Sequence, residues 1–117
     1  MNNSPEVIAT GFSFTEGPRW HEDKLYFSDF YNFEVKSVDG SGHVETVVRV
    51  EHQPSGLGWL PDGRLLVVSM TDRKLLRMEP DGSLLEHADL SEIAAFHCND
   101  MAVDHAGRAW VGNFGFD

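Results

Sequence analysis

The sequence repeats one short pattern three times, at intervals of about 40 residues. The anchors of the pattern are Trp20, Trp59 and Val103, which lie 39 and 44 residues apart. After each anchor comes a polar turn and then an apolar run, such as Leu25-Tyr26-Phe27 in the first repeat and 65–68 in the second. Several short strands within a unit of this length are typical of a β-propeller blade. The repeat therefore predicts an all-β chain built of propeller blades.

A polar residue stands four positions before each anchor: Glu16, Ser55 and Asn99. In a propeller the innermost strands of all blades surround one central channel. Side chains at the same position of successive repeats should therefore meet at that channel. A carboxylate, a hydroxyl and an amide in one place predict a polar site there.

The length of the chain limits how many blades it holds. It has 117 residues, whereas a closed propeller has about four to eight blades of about 40 residues each. We expect about two and a half blades, with repeats at about 12–50 and 51–94 and an incomplete repeat at 95–117. We expect residues 1–117 to be the N-terminal part of a single propeller domain whose missing C-terminal blades are needed for closure.

Apolar and β-branched runs bounded by turn residues predict the strands of these repeats. A further strand is predicted at Glu6–Thr10, before the first repeat, and a single helical turn at 89–94. The strands of the repeats are predicted near Gly17–His21, Lys24–Asp29, Glu34–Val38, Val44–Val48, Gly56–Leu60, Arg64–Ser69, Lys74–Glu79, Ser83–Ala88, Asn99–Asp104 and Arg108–Asn113.

Composition excludes some classes of partner. Nineteen acidic and nine basic side chains give a formal net charge of −10. Nucleic acids and anionic membranes attract basic surfaces, so we expect neither as a partner. No apolar stretch approaches the roughly 18 residues of a membrane helix, and the first residues carry no signal-peptide pattern. The single cysteine, Cys98, excludes an intrachain disulfide. We expect a cytoplasmic protein.

Two segments of the sequence carry a family resemblance. The first is Phe14-Thr15-Glu16-Gly17-Pro18-Arg19-Trp20, followed by Leu25-Tyr26-Phe27-Ser28-Asp29. The second is the block that begins Cys98-Asn99-Asp100-Met101 and continues to Asn113, and Ser55-Gly56-Leu57-Gly58-Trp59 fits the blade between them. Both segments, at this separation and in this repeat phase, resemble the gluconolactonase/regucalcin family, whose members are also called senescence-marker-like (SMP-30/regucalcin-like) lactonases.

The resemblance implies a six-bladed propeller that hydrolyses a small-molecule sugar lactone with one divalent metal ion, Ca²⁺ or Zn²⁺, in its channel. It implies that Glu16 is a metal ligand and that Asn99 lines the pocket near metal and substrate, as a metal ligand and a substrate contact. His97 stands where some relatives have a substrate-binding arginine, so it is a candidate substrate contact, as is Ser55. The resemblance places the general-base aspartate and the remaining ligands beyond residue 117.

Each of these residues also has a plain structural interpretation. Glu16 is then a carboxylate that caps backbone amides, and Ser55 and Asn99 are ordinary turn residues. Asp100 is expected to be a structural turn residue. His97-Cys98 is a weak indication of a transition-metal site, because no partners follow at ligand spacing. The three tryptophans, Trp20, Trp59 and Trp110, are expected in the core between blades.

Three functions remain open at this point. The first is a lactonase that uses metal-assisted water attack, since Pro54-Ser55-Gly56 lacks the Gly-x-Ser-x-Gly pattern of a serine nucleophile. The second is a non-catalytic propeller that binds calcium or a partner through the same channel. The third is a fragment that is inactive alone.

Overall fold

The computed structural model describes residues 4–115, which form ten strands in three antiparallel sheets. The first sheet pairs β1 (Thr15–His21), β2 (Lys24–Asp29), β3 (Glu34–Val38) and β4 (Val44–Arg49) in that order. The second pairs β5 (Pro54–Trp59), β6 (Leu65–Ser69), β7 (Lys74–Met78) and β8 (Leu84–Asp89). The third pairs β9 (Cys98–Val103) with β10 (Ala109–Asn113). A 3₁₀ turn at Phe30–Asn32 joins β2 to β3.

Two four-stranded meanders and a third of two strands are two and a half propeller blades, and the propeller prediction is confirmed. The helical turn is also present, because the amides of Ile93 and Ala94 both bond the carbonyl of Leu90. The strand predicted at Glu6–Thr10 is wrong. That segment pairs with no strand in the described part of the chain, and an extended segment needs such a neighbour to be stable. No helix among residues 4–115 is long and apolar enough to cross a membrane.

The core lies between successive blades, and strand β6 shows why. All five of its residues are buried. Successive side chains of a strand point to opposite faces, so Leu65 and Val67 pack with the first blade's Val35. Leu66 and Val68 pack instead with Cys98 and Met101 of the third blade. Strand β6 is covered by another blade on each face, so all of its side chains can be apolar. A strand with one face in solvent would instead alternate apolar and polar residues.

The three tryptophans have different environments. Trp59 packs between blades, stacked on the His21 ring at 4.0 Å and edge-on to Tyr26 at 5.0 Å. The prediction of a core position is therefore confirmed for Trp59 and wrong for Trp20 and Trp110, which are 68% and 62% exposed. Trp20 occupies the position of Trp59 one repeat earlier, and the described residues include no blade before the first that could pack on it as the first blade packs on Trp59.

Candidate functional site

The side chains of Glu16, Ser55 and Asn99 meet at the innermost strands of the three blades. The Ser55 hydroxyl contacts the Glu16 carboxylate and lies 2.9 Å from Oδ1 of Asn99. Ser55 is fully buried, whereas Glu16 and Asn99 are half-buried. The structure thus joins the three positions that the repeat phase singles out. The Ser55 side chain has no exposed surface among the described residues, and its expected role as a substrate contact stays a prediction.

The number of protons in this cluster limits its hydrogen bonding. A serine hydroxyl carries one proton and donates one hydrogen bond. The stronger bond goes to the charged carboxylate of Glu16. Oδ1 of Asn99 also lies within hydrogen-bonding distance of the Ser55 hydroxyl, and it accepts the proton only when Glu16 does not. When Glu16 accepts it, the amide can instead turn its NH₂ group to Ser55, or the oxygens can share a cation.

A β-bulge lies at the site position of each innermost strand. The pairing of β1 with β2 shifts between Glu16 and Arg19, and that of β5 with β6 shifts between Pro54 and Leu57. The pairing of β9 with β10 shifts in the same way, between Val111 and Asn113 on β10. A bulge adds a residue to one strand and redirects its side chains. The three register shifts fall within one residue of the same repeat position, beside Glu16, Ser55 and Asn99.

Glycines let these strands approach each other closely. A Cβ atom on Gly17 would lie 2.9 Å from the carbonyl oxygen of Ser55, and Gly17 has a φ of +63°. A Cβ atom on Gly56 would lie 2.6 Å from the backbone nitrogen of Met101. Real Cβ atoms essentially never come so close to backbone atoms. Both glycines follow a site residue directly, so the same short motif supplies the polar group and the room for the next blade.

Two buried polar residues at the end of β2, Ser28 and Asp29, hold the backbone around the cluster in place. Ser28 pairs opposite Glu16 and donates a 2.6 Å hydrogen bond to the carbonyl of Ser55. Asp29 is fully buried and accepts bonds from the backbone amides of Ser13 and Phe14, the Ser13 hydroxyl and, at 2.7 Å, the Asn32 amide. Burial acts to raise the pKa of Asp29, but these hydrogen bonds together hold it below its ordinary value. Sequence reasoning missed both roles; the signal is a polar pair ending an apolar strand.

Arg19 joins the first blade to the third. Its guanidinium Nη2 donates 2.8 Å hydrogen bonds to Oδ1 of Asp100 and to the carbonyl of Met101. Its Nη1 bonds the carbonyl of Pro18, also at 2.8 Å. Asp100 lies in strand β9 and not in the expected turn, and the ion pair with Arg19 gives it a structural contact. The part played by Arg19 is absent from sequence reasoning, because 81 residues separate it from Asp100.

His97 and Cys98 lie next to the cluster in sequence and differ in environment. The His97 ring is half-buried and stacks on Phe96 with the ring centroids 3.8 Å apart. Cys98 is a buried free thiol, and burial raises its pKa. It packs in the core between the second and third blades. Within residues 4–115 no group of three or more His, Cys, Asp or Glu side chains is arranged to hold a metal ion. Among the described residues of the cluster, Glu16 supplies a carboxylate, and Ser55 and Asn99 supply uncharged oxygens.

Solved structures with a similar fold include a gluconolactonase, a putative gluconolactonase and a lyase. A gluconolactonase from Xanthomonas campestris matches with a TM-score of 0.80 at 22% identity, over 92% of this chain and 38% of that one. A putative gluconolactonase matches with a TM-score of 0.72 at 24% identity, over 91% and 38%. Virginiamycin B lyase from Staphylococcus aureus matches with a TM-score of 0.70 at 11% identity, over 85% and 34%. This chain thus spans little more than a third of the length of these proteins.

A comparison with curated proteins gave no match. The family model described as the SMP-30/Gluconolactonase/LRE-like region matches residues 14–117, which include Glu16, Ser55 and Asn99. This match covers most of the sequence and confirms the resemblance carried by the Glu-Gly-Pro and Asn-Asp segments. The chain belongs to the SMP-30/gluconolactonase/LRE-like family.

Proposed function

We propose that this chain contributes part of the active site of a hydrolase that opens a sugar-type lactone with the help of one divalent cation, Ca²⁺ or Zn²⁺. The observation that carries the proposal is the meeting of Glu16, Ser55 and Asn99 from three successive blades. The family to which the chain belongs makes a lactone the substrate class to test first.

The chemistry of the cluster fits a hard cation. Carboxylate, hydroxyl and amide oxygens are the ligands that Ca²⁺ prefers. We assign Glu16 and Asn99 as its ligands. Calcium takes about six to eight oxygens, so water and residues of other blades complete the set in this proposal.

The residues of the chain have separate tasks in the reaction. Ser55 is a positioning residue, because its buried hydroxyl holds the Glu16 carboxylate and the Asn99 amide toward one point. Asn99, half-buried, lines the pocket on the substrate side. His97, two residues earlier, is assigned a substrate contact. When bound, the cation supplies Lewis-acid polarisation of the lactone carbonyl. An aspartate from another blade is expected to activate the attacking water.

The test combines cation binding with lactone hydrolysis. Calorimetric titration of the 117-residue chain with Ca²⁺ and with Zn²⁺ measures whether the cluster holds a cation. Hydrolysis of glucono-1,5-lactone is followed in parallel, on the chain alone and on the chain joined to the remaining blades of a gluconolactonase of known structure. We expect cation binding in both forms, tighter in the joined form, and hydrolysis in the joined form.

Each other outcome has a defined meaning. Cation binding without hydrolysis in a joined form that folds supports the alternative function, a non-catalytic propeller that binds calcium or a partner. Absence of cation binding in both forms contradicts the proposal, and the plain structural interpretation of Glu16 and Asn99 then holds. Hydrolysis by the 117-residue chain alone would mean that its own residues, or a second copy, complete the site.

A further inference from the structure

We propose that Arg19 is a positioning residue that holds the strand of Asn99 against the strand of Glu16. This inference rests on the proposed function in one respect, namely that Glu16 and Asn99 bind the same cation. It concerns a different group, the guanidinium that connects the first and third blades.

The guanidinium of Arg19 is bonded to two strands, its own β1 and β9. On its own strand, Nη1 bonds the carbonyl of Pro18 at 2.8 Å. On β9, Nη2 bonds both Oδ1 of Asp100 and the carbonyl of Met101 at 2.8 Å. Strands β1 and β9 belong to different sheets and share no ladder of hydrogen bonds. The guanidinium therefore connects two strands that the sheets leave unconnected.

The connection lies where the site needs it. Arg19 is the residue at which β1 regains its pairing with β2 after the bulge that begins at Glu16. Asp100 follows Asn99 directly, and its Oδ1 also accepts a 2.8 Å bond from the amide of Met101. A shift of Asp100 relative to Arg19 thus moves Asn99 relative to Glu16.

The ion pair between Arg19 and Asp100 contributes little to the free energy of unfolding. Its loss should therefore change the position of β9 without unfolding the chain. The side chains of Arg19 and Asp100 are 32% and 62% exposed, and ion pairs that are open to solvent contribute little net free energy. Its geometry is the specific feature, because a planar guanidinium can bond a carboxylate and a carbonyl while its other nitrogen bonds Pro18. A lysine ammonium in the same place keeps the charge and loses this fixed arrangement.

The test is Arg19→Lys, with Arg64→Lys as the matched control. Arg64 is 33% exposed and bonds Asp62 at 2.9 Å and Glu79 at 3.1 Å in the second blade, away from the cluster. We expect Arg19→Lys to weaken Ca²⁺ or Zn²⁺ binding about tenfold, in the range found when groups that orient metal ligands are lost. Hydrogen exchange of the β9 amides, 98–103, should become faster, while the thermal midpoint changes no more than in Arg64→Lys.

The outcomes distinguish this inference from the proposed function. Unchanged cation affinity and unchanged β9 exchange in Arg19→Lys overturn the positioning role. If the unaltered chain binds neither cation, the proposed function fails and exchange alone decides: faster β9 exchange in Arg19→Lys than in Arg64→Lys supports the connection, and equal exchange overturns it. If Arg19→Lys does not fold, the same measurements on Asp100→Asn decide, because that change removes the charge and keeps the shape.

Discussion

A methyl group on Gly56 would lie 2.6 Å from the backbone nitrogen of Met101, so β5 and β9 approach each other as closely as their backbones permit. The same added carbon would lie 2.8 Å from two backbone atoms of Asp100. Backbone atoms of a paired strand move only when the strand moves. The distance between the second and third blades at the site is therefore set by the absence of a side chain at residue 56.

Replacing this glycine should separate the two blades. We expect Gly56→Ala to lower the free energy of unfolding by roughly 2–3 kcal/mol, as overpacking in a close contact does. It should also weaken cation binding, because Asn99 lies next to the displaced residues. Gly40→Ala is the control, since its added carbon meets nothing within 4 Å and its φ is not in the left-handed region. Urea unfolding of both variants measures the difference. Equal midpoints would show that the space between β5 and β9 can accommodate a methyl group at residue 56.

Removing the charge of Glu16 should separate ligand binding from folding. Gln keeps the shape of the side chain and an oxygen for the Ser55 hydroxyl, but it loses the negative charge that attracts a cation. We expect Glu16→Gln to reduce the Ca²⁺ or Zn²⁺ affinity measured by calorimetry by at least about tenfold, because the cation loses a negatively charged ligand. It should also nearly abolish lactone hydrolysis by the joined protein. Glu22→Gln, in a turn where the side chain is 81% exposed, is the control. Unchanged affinity in Glu16→Gln removes this residue from the site.

Much of the fold and of the Glu16, Ser55 and Asn99 cluster could be predicted from the sequence. Residues at the same position of successive repeats occupy equivalent places in successive blades, whatever their contacts. The strands of all three blades, and the placement of Glu16 and Asn99 around Ser55, need only the spacing and the geometry of a propeller. The role of Ser55 needs more, since its burial depends on how two neighbouring blades close over it. The bulges beside these residues are backbone displacements of one residue, and they leave no signal in residue type.

Long-range pairs and unpaired segments are the features that sequence reasoning misplaces. No sequence pattern predicts the pairing of Arg19 with Asp100, because each is an ordinary charged residue within its own repeat. Glu6–Thr10 has the composition of a strand, yet strand formation is decided by a partner and no described strand supplies one. Trp20 shares the repeat position of Trp59, but a core needs a second surface to close it.

Two buried serines at corresponding ends of their strands should respond in opposite ways to the same substitution. Ser28 donates a 2.6 Å bond to the Ser55 carbonyl, so Ser28→Ala should cost about 1–2 kcal/mol by leaving that carbonyl unpaired. The hydroxyl of Ser69 is buried with no partner among the described residues. Removing such a group relieves an unmet hydrogen-bonding need, so Ser69→Ala should be neutral or more stable by about 1 kcal/mol. Chemical denaturation compares the two; a loss in Ser69→Ala as large as in Ser28→Ala would reveal a partner for Ser69.

Changing His97 should affect the choice of substrate more than the binding of a cation. His97 contacts the Phe96 ring and precedes Asn99 by two residues. An arginine there adds a fixed positive charge and a longer reach beside the pocket. We expect His97→Arg in the joined protein to change the ratio of kcat/KM between lactones by about fivefold or more, with cation affinity within about twofold of the unaltered protein. His105→Arg, in the turn after β9, is the control. Equal losses in both properties would make His97 a ligand or a structural residue.

The buried carboxylate of Asp29 should make part of the stability depend on pH. Its pKa in the folded chain lies below the ordinary value because the hydrogen bonds from Asn32, Ser13 and Phe14 outweigh the opposing effect of burial. Between the folded and the unfolded pKa, the unfolded chain binds a proton that the folded chain does not, so acid favours unfolding. The contribution of Asp29 is therefore complete above a pH of about 4, the ordinary carboxyl value, and is lost as pH falls through the folded pKa.

Asp29→Asn measures this contribution. The amide keeps one acceptor oxygen but turns an NH₂ group toward the side chain of Asn32, so the variant should be less stable at pH 7. The gap between the urea midpoints of the unaltered chain and the variant should be constant from pH 7 to about 5 and shrink steadily below pH 4. Asp39→Asn, in an exposed turn where the carboxylate bonds Ser41 at 2.7 Å, is the control and should show a smaller gap. A gap for Asp29→Asn that stays constant down to pH 2.5 would mean that Asp29 has equal pKa values in the folded and unfolded chain.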